Sequence, residues 1–101
     1  MPTSAKIDPT ATIRHSPRAA YRKLTDSAGG VLLNLDTAAY HGLNEMGALI
    51  WSLIEGGTTF EALVRDLRDR VGDAPEELGT DVAVFLSELE ERGLVTIGDD
   101  V

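Results

Sequence analysis

The stretch GGVLLNLDTAAYHGLNEMGALIW, residues 29–51, decides the fold because two short strand patterns run directly into a helical pattern. Val31, Leu33 and Leu35 alternate with other residues and therefore share one face of a strand. The segment DTA makes a tight connection to a second strand over residues 39–43. This stretch therefore predicts a β-hairpin that leads at once into a helix.

The first helix begins after Asn44, whose side-chain oxygen can accept a hydrogen bond from the first turn. Its apolar residues recur at the i, i+3, i+4 and i+7 positions, a spacing typical of a core-facing stripe. These residues are Met46, Leu49, Ile50 and Leu53. The pair Gly56-Gly57 is expected to end the helix.

Two further helices follow the first. The segment TTFE is a capping box that predicts Thr58 as N-cap with Glu61 three residues later. The second helix carries apolar residues at helical spacing and ends at Gly72; they are Phe60, Leu63, Val64, Leu67 and Val71. The third begins near Pro75, is interrupted or restarted at residues 79–80, and ends at Gly93. Its predicted core residues are Val82, Phe85, Leu86 and Leu89.

A first strand over residues 19–24 and the turn TDSAGG precede the hairpin. The predicted class is therefore α+β, winged helix-turn-helix-like, with a three-stranded antiparallel sheet followed by three helices. Residues 1–18 contain three prolines and little apolar periodicity, which predicts a flexible or loosely attached N-terminal arm. Residues 19–101 are the predicted folded domain.

Composition limits the classes of function. The 101 residues suffice for one domain with a modest core, and the absence of cysteine removes disulfides, thiolate catalysis and cysteine metal sites. No apolar run approaches the roughly 18 residues that span a bilayer, and no signal peptide is apparent, so we expect a cytoplasmic protein with no membrane partner.

The net charge of −8 is unevenly distributed, because residues 1–25 are mildly basic and the rest is strongly acidic. An acidic body repels polyphosphate, and the third helix offers Arg92 as its one base against four acids. The alternative hypothesis, a winged-helix DNA-binding transcriptional regulator, is disfavoured by this charge. We therefore expect no nucleic-acid partner. The basic segment can steer an acidic ligand or lie against the acidic body, and both interpretations stay open.

The sequence offers no constellation for catalysis. His15 and His41 are the only histidines, and neither belongs to a metal-binding spacing. Ser27, Ser52 and Ser87 have no nucleophile-elbow motif around them. We therefore predict no enzyme activity, no catalytic residue, no metal site and no cofactor.

The strand AAYHGL has neither the charged residue nor the proline that usually protects a sheet edge. Its small residues let another backbone approach, and Tyr40 offers flat apolar area with a hydroxyl group. Such an edge can accept an extended peptide as an added strand. The competing interpretation is that the third helix or the N-terminal arm covers this edge.

The ordered segments VLLNLDTAAYHGLNEMGALIW, GGTTFEALVRDL and DVAVFLSELEERGLV resemble the PqqD-like proteins, the recognition elements for precursors of ribosomally synthesised, post-translationally modified peptides. The likeness covers about residues 19–97 and is nearest to the stand-alone B1 proteins of lasso peptide biosynthesis. It implies a winged-helix-like fold without catalytic activity, which captures the leader of a precursor peptide as a strand added beside the third helix.

The resemblance also implies a peptide-binding site and partners. The implied site residues are Ala38, Ala39, Tyr40, His41, Gly42, Leu43, Asp81, Val82, Phe85, Leu86 and Leu89. The implied partners are a precursor leader peptide, a transglutaminase-like leader peptidase (B2) and an asparagine-synthetase-like cyclase. Asp81 and neighbouring acids leave the charge preference of this groove open, since Arg22 and Lys23 on the first strand could offset them for an acidic leader.

Overall fold

The computed structural model describes residues 7–24, 29–72 and 75–98, which contain six strands and three helices. In chain order these are β1 Thr12–His15, β2 Ala19–Lys23, β3 Gly30–Asn34, β4 Tyr40–Leu43, α1 Glu45–Ile54, β5 Thr58–Thr59, α2 Phe60–Val71, α3 Leu78–Glu91 and β6 Val95–Gly98. The predicted α+β class, with a three-stranded antiparallel sheet and three helices, is confirmed. A second small sheet adds to it.

The main sheet has the strand order β2-β3-β4, with antiparallel pairing throughout. Val31 and Leu33 share a face as predicted, but it is the face turned away from the helices, where both are half-buried. Leu32 points the other way and has no exposed surface. Leu35 lies beyond the end of β3 and is exposed.

The second sheet has the order β5-β1-β6, so β1 is its central strand. Ile13 of β1 pairs with Ile97 of β6 and is fully buried in the same hydrophobic cluster as Leu32. The flexible or loosely attached arm predicted for residues 1–18 does not describe β1, because Thr12 and Ile13 pair with strands on both sides and Ile13 is fully buried in the core. Residues 1–6 lie outside the described ranges.

The chain enters β1 through a turn closed by Asp8. The Thr10 N–H and the Thr10 hydroxyl donate to the Asp8 carboxylate over 2.9 and 2.8 Å. These hydrogen bonds, the backbone one first, hold the pKa of Asp8 below its usual value because they favour the charged form. The turn thereby sets the direction in which the first strand begins.

Helix ends follow their local sequence with two differences. The Asn44 side chain accepts from the Gly47 N–H over 2.8 Å, which confirms the predicted N-cap of α1. The N-cap of α2 is Thr59 and not Thr58, since the Thr59 hydroxyl accepts from the Ala62 N–H over 3.2 Å, and both threonines pair with β1. The helix α3 begins at Leu78 and continues without a break through residues 79–80.

An aromatic contact ties the two sheets to α1. Trp51 is 5% exposed, and its ring stacks on the His15 ring with centroids 3.6 Å apart. The His15 Nε2 lies 2.8 Å from the Trp51 carbonyl oxygen, which accepts, so this nitrogen carries the proton. The Tyr21 ring of β2 lies on another side of Trp51, with centroids 6.3 Å apart.

No helix in the described ranges has the length and apolar character that crossing a membrane requires.

Candidate functional site

The strand β4 has an open edge, since β3 is its only strand neighbour within the described residues. The Leu24 N–H donates to the Gly29 carbonyl, and the Leu35 N–H donates to the Arg18 carbonyl. Because hydrogen-bonded pairs alternate along an antiparallel ladder, Val31 and Leu33 of β3 also bond to β2. The intervening residues bond to β4, as the Asn34 N–H does to the Ala39 carbonyl over 2.9 Å.

The same alternation fixes which groups of β4 face outward. His41 and Leu43 pair with Leu32 and Gly30 and use their backbone groups toward β3. The N–H and C=O groups of Tyr40 and Gly42 therefore point away from the sheet. This open edge of β4 at Tyr40 and Gly42, called the open margin below, offers two N–H donors and two C=O acceptors to an additional strand.

The side chains along β4 leave this edge accessible. Tyr40 is 73% exposed, and a Cβ added at Gly42 would meet no atom within 4 Å. The neighbouring Leu43 is buried, and its carbonyl oxygen lies 2.3 Å from where a Cβ at Gly29 would stand. Because Gly29 has no Cβ, the backbone there can lie close to the Leu43 carbonyl at the end of β4. The Gly42 position on the open edge stays accessible.

A cavity of about 540 Å³ opens between β4, α1 and α3. Its wall is mainly apolar. The lining residues are Gly42, Leu43, Asn44, Met46, Gly47, Ile50, Val71, Pro75, Leu78, Asp81, Val82 and Phe85. Because Gly42 belongs both to the open margin and to this lining, a strand added to β4 would place side chains over the cavity.

Two close contacts position α3 against the sheet. At one end, the Asn34 side-chain amide donates to the Arg92 carbonyl over 2.7 Å, and its oxygen accepts from the Asp36 N–H. In the middle of α3, the Phe85 ring approaches the helix α1 at Gly47, where an added Cβ would lie 3.3 Å from the ring.

The structure brings together five of the residues named from the sequence, which are Gly42, Leu43, Asp81, Val82 and Phe85. Tyr40 and His41 complete the strand, while Ala38 and Ala39 lie in the turn that precedes it. Ala38 has a φ of 63°, in the left-handed region that non-glycine residues rarely adopt.

Leu86 and Leu89 were predicted to line the groove, but both have no exposed surface and belong to the core cluster. Both side chains pack in the hydrophobic core and do not line the cavity. Any role for the eleven named residues in binding a peptide stays a prediction.

Sequence reasoning missed the contribution of α1 to the cavity. Met46 and Ile50 were assigned to the core by their helical spacing, yet Met46 is partly exposed and both line the cavity. Gly47 was not considered, although a glycine inside a helical pattern is often a point of close approach. Leu78 and Pro75 also line the cavity, at the start of α3.

The electrostatic character of the groove is simple. Asp81 is the one ionisable residue among those that line the cavity. Arg22 and Lys23 lie on β2, which β3 separates from β4, so they stand about 10 Å from the open edge by two strand spacings. In the described part of the chain, no group of three or more His, Cys, Asp or Glu residues could hold a metal ion.

Comparisons with known proteins agree with this geometry. The family model of coenzyme PQQ synthesis protein D (PqqD) matches residues 29–95. A solved structure of TbiB1 in complex with the TbiA(beta) leader peptide is similar to this chain, with a TM-score of 0.71 and 29% sequence identity. The match covers 81% of this chain and 93% of that one. A search of curated protein sequences found no significant match.

Proposed function

Because this chain belongs to the PqqD family, we propose that it is a non-catalytic protein that binds the leader segment of a ribosomally made precursor peptide. The leader adds to β4 as an antiparallel or parallel strand and lies in the groove between β4 and α3. The observation that carries this proposal is the open margin at Tyr40 and Gly42 beside the apolar cavity.

The chemistry of the groove suits this role. Main-chain hydrogen bonds to Tyr40 and Gly42 would give sequence-independent affinity, and the cavity would accept side chains of the added strand. Each net hydrogen bond contributes about 0.5–1.5 kcal/mol, so the buried apolar surface must supply the remainder. An extended ligand is therefore favoured over a compact one.

The finer assignment is to lasso peptide biosynthesis in the cytoplasm. Support comes from the likeness to TbiB1, whose structure contains a leader peptide. In this role the protein would present the bound precursor to a transglutaminase-like leader peptidase (B2) and then to an asparagine-synthetase-like cyclase. The protein itself would supply binding and orientation, and the partners would supply the chemistry.

The direct test is titration of fluorescent peptides that correspond to the N-terminal segments of short reading frames next to this gene. We expect saturable one-to-one binding, and no binding of a peptide with the same composition in scrambled order. The same sample is assayed for gel shifts of duplex DNA at low salt, where non-specific DNA binding is strongest. A DNA shift without leader binding would favour the regulator hypothesis and contradict this proposal.

A further inference from the structure

The cavity beside β4 carries a single charge in an apolar wall. Asp81 lies in the first turn of α3, and its carboxylate has no ion-pair partner among the described residues. Leu78 and Phe85 flank it along the cavity. A carboxylate at the rim of an apolar groove attracts a cation and repels an anion from any ligand that occupies the groove.

Asp81 has no ion pair with a cation of the described residues, although α2 carries Arg65, Arg68 and Arg70. The elements β4 and α1 contain no lysine or arginine, and α3 contains none between its first and last residues. Their other ionisable groups near the groove are His41 and Glu45. The Arg68 guanidinium of α2 is directed to the Pro75 carbonyl oxygen, at 3.5 Å. Arg68 thus lies beside Pro75 at one end of the cavity, while Asp81 is the one ionisable residue of its lining.

The spacing along α3 matches the spacing along an extended peptide. Asp81 and Phe85 are one helical turn apart, which is about 6 Å along the axis. Side chains two positions apart on one face of a strand are separated by about 6.6 Å. In an added strand that runs along α3, in either direction, the ligand residues beside Phe85 and beside Asp81 would thus differ by two positions.

We propose that this groove selects extended peptides that carry lysine or arginine two positions from a bulky apolar residue. The apolar side chain enters the cavity beside Phe85, and the cation pairs with Asp81. This inference rests on the proposed function and adds to it the chemical class of ligand. It also settles the open charge preference against an acidic leader segment at this position.

The first experiment selects ligands from a displayed library of random 12-residue peptides on the immobilised full-length chain. We expect the enriched pool to contain lysine or arginine two positions from a large apolar residue, in excess over aspartate or glutamate. One enriched peptide is then synthesised in two forms, with lysine or with glutamate at the basic position. The lysine form should bind about two- to fivefold more tightly, the range of a solvent-accessible ion pair.

The second experiment repeats the comparison with charge variants. Asp81→Asn should remove the preference for the lysine peptide, and Asp81→Lys should reverse it. The matched control is Glu90→Lys, which changes the net charge equally on an exposed position of α3 that does not line this cavity. The control should keep the wild-type preference, which separates a local ion pair from the field of the whole protein.

The outcomes distinguish this inference from the proposed function. A library that yields no enriched peptide would contradict peptide binding itself. Enriched peptides without a basic preference would overturn only the ligand class. A preference that persists unchanged in Asp81→Asn would also overturn it, because the cation would then be recognised elsewhere.

Discussion

Replacing Ile13 by alanine is expected to lower the free energy of unfolding by about 2–5 kcal/mol, the usual cost of truncating a fully buried isoleucine. Ile13 has no exposed surface and lies in the central strand of the second sheet, where it joins the cluster that contains Leu32. For a domain of this size such a loss lowers the melting temperature by at least about 8 °C. Thermal unfolding followed by circular dichroism measures it.

The matched control is Arg14→Ala, one residue further along the same strand, where the side chain is exposed. Its melting temperature should stay close to that of the wild type, since surface substitutions usually change stability by less than about 0.5 kcal/mol. If Ile13→Ala melted like Arg14→Ala, β1 would not be part of the core, and residues 7–18 would be the loose arm that the prolines suggest.

Replacing Gly42 by proline is expected to weaken leader-peptide binding at least tenfold. The substitution removes an outward N–H of β4, and the proline ring occupies the place where the added backbone would approach. A lost hydrogen bond alone accounts for about two- to tenfold, and the steric block adds to it. Proline is tolerated on an edge strand when its nitrogen faces solvent, so the fold should persist. Fluorescence anisotropy with the labelled leader measures the change.

Gly42→Ala is the control for this variant because an added Cβ meets nothing within 4 Å and the N–H is retained. It should bind the leader nearly as well as the wild type. Both variants are first compared by melting temperature to confirm that each is folded. Equal affinity of the proline and alanine variants would show that the leader does not bond to this margin.

Much of the fold could be predicted because its information is local. Neighbouring residues suffice to identify the Asn44 cap, the helix ends at Gly72 and Gly93, and the apolar spacing of each helix. The strand β1 could not be found this way. It has four residues, one of them fully buried, and its partner β6 lies about 80 positions away in the chain. Nothing next to it in the sequence distinguishes it from a loop.

The candidate site was predicted in part for the same reason. The tight connection after β3 located β4, but a helical stripe does not tell which of its residues face a cavity and which face the core. Val82 and Leu86 follow the same spacing on α3, yet one lines the cavity and the other is enclosed behind it. Met46 of α1 was likewise assigned to the core by its helical spacing, yet it is 37% exposed and lines the cavity.

The placement of charge was also beyond sequence reasoning. Arg22 and Lys23 lie on β2, which is close to β4 in the sequence. The order β2-β3-β4 nevertheless puts these two residues on the opposite edge of the sheet. Asp81 consequently remains the charge that a ligand in the groove would meet. The sheet order, which only tertiary structure reveals, is the observation that supports the basic ligand class proposed above.

The most direct measurement is amide hydrogen exchange, resolved by residue, with and without saturating leader peptide. The account predicts that the Tyr40 and Gly42 amides exchange rapidly in the free protein and at least about tenfold more slowly in the complex. The His41 amide, already bonded to β3, should change little. If the leader binds while the Tyr40 and Gly42 amides keep exchanging at their free rates, strand addition to β4 is contradicted.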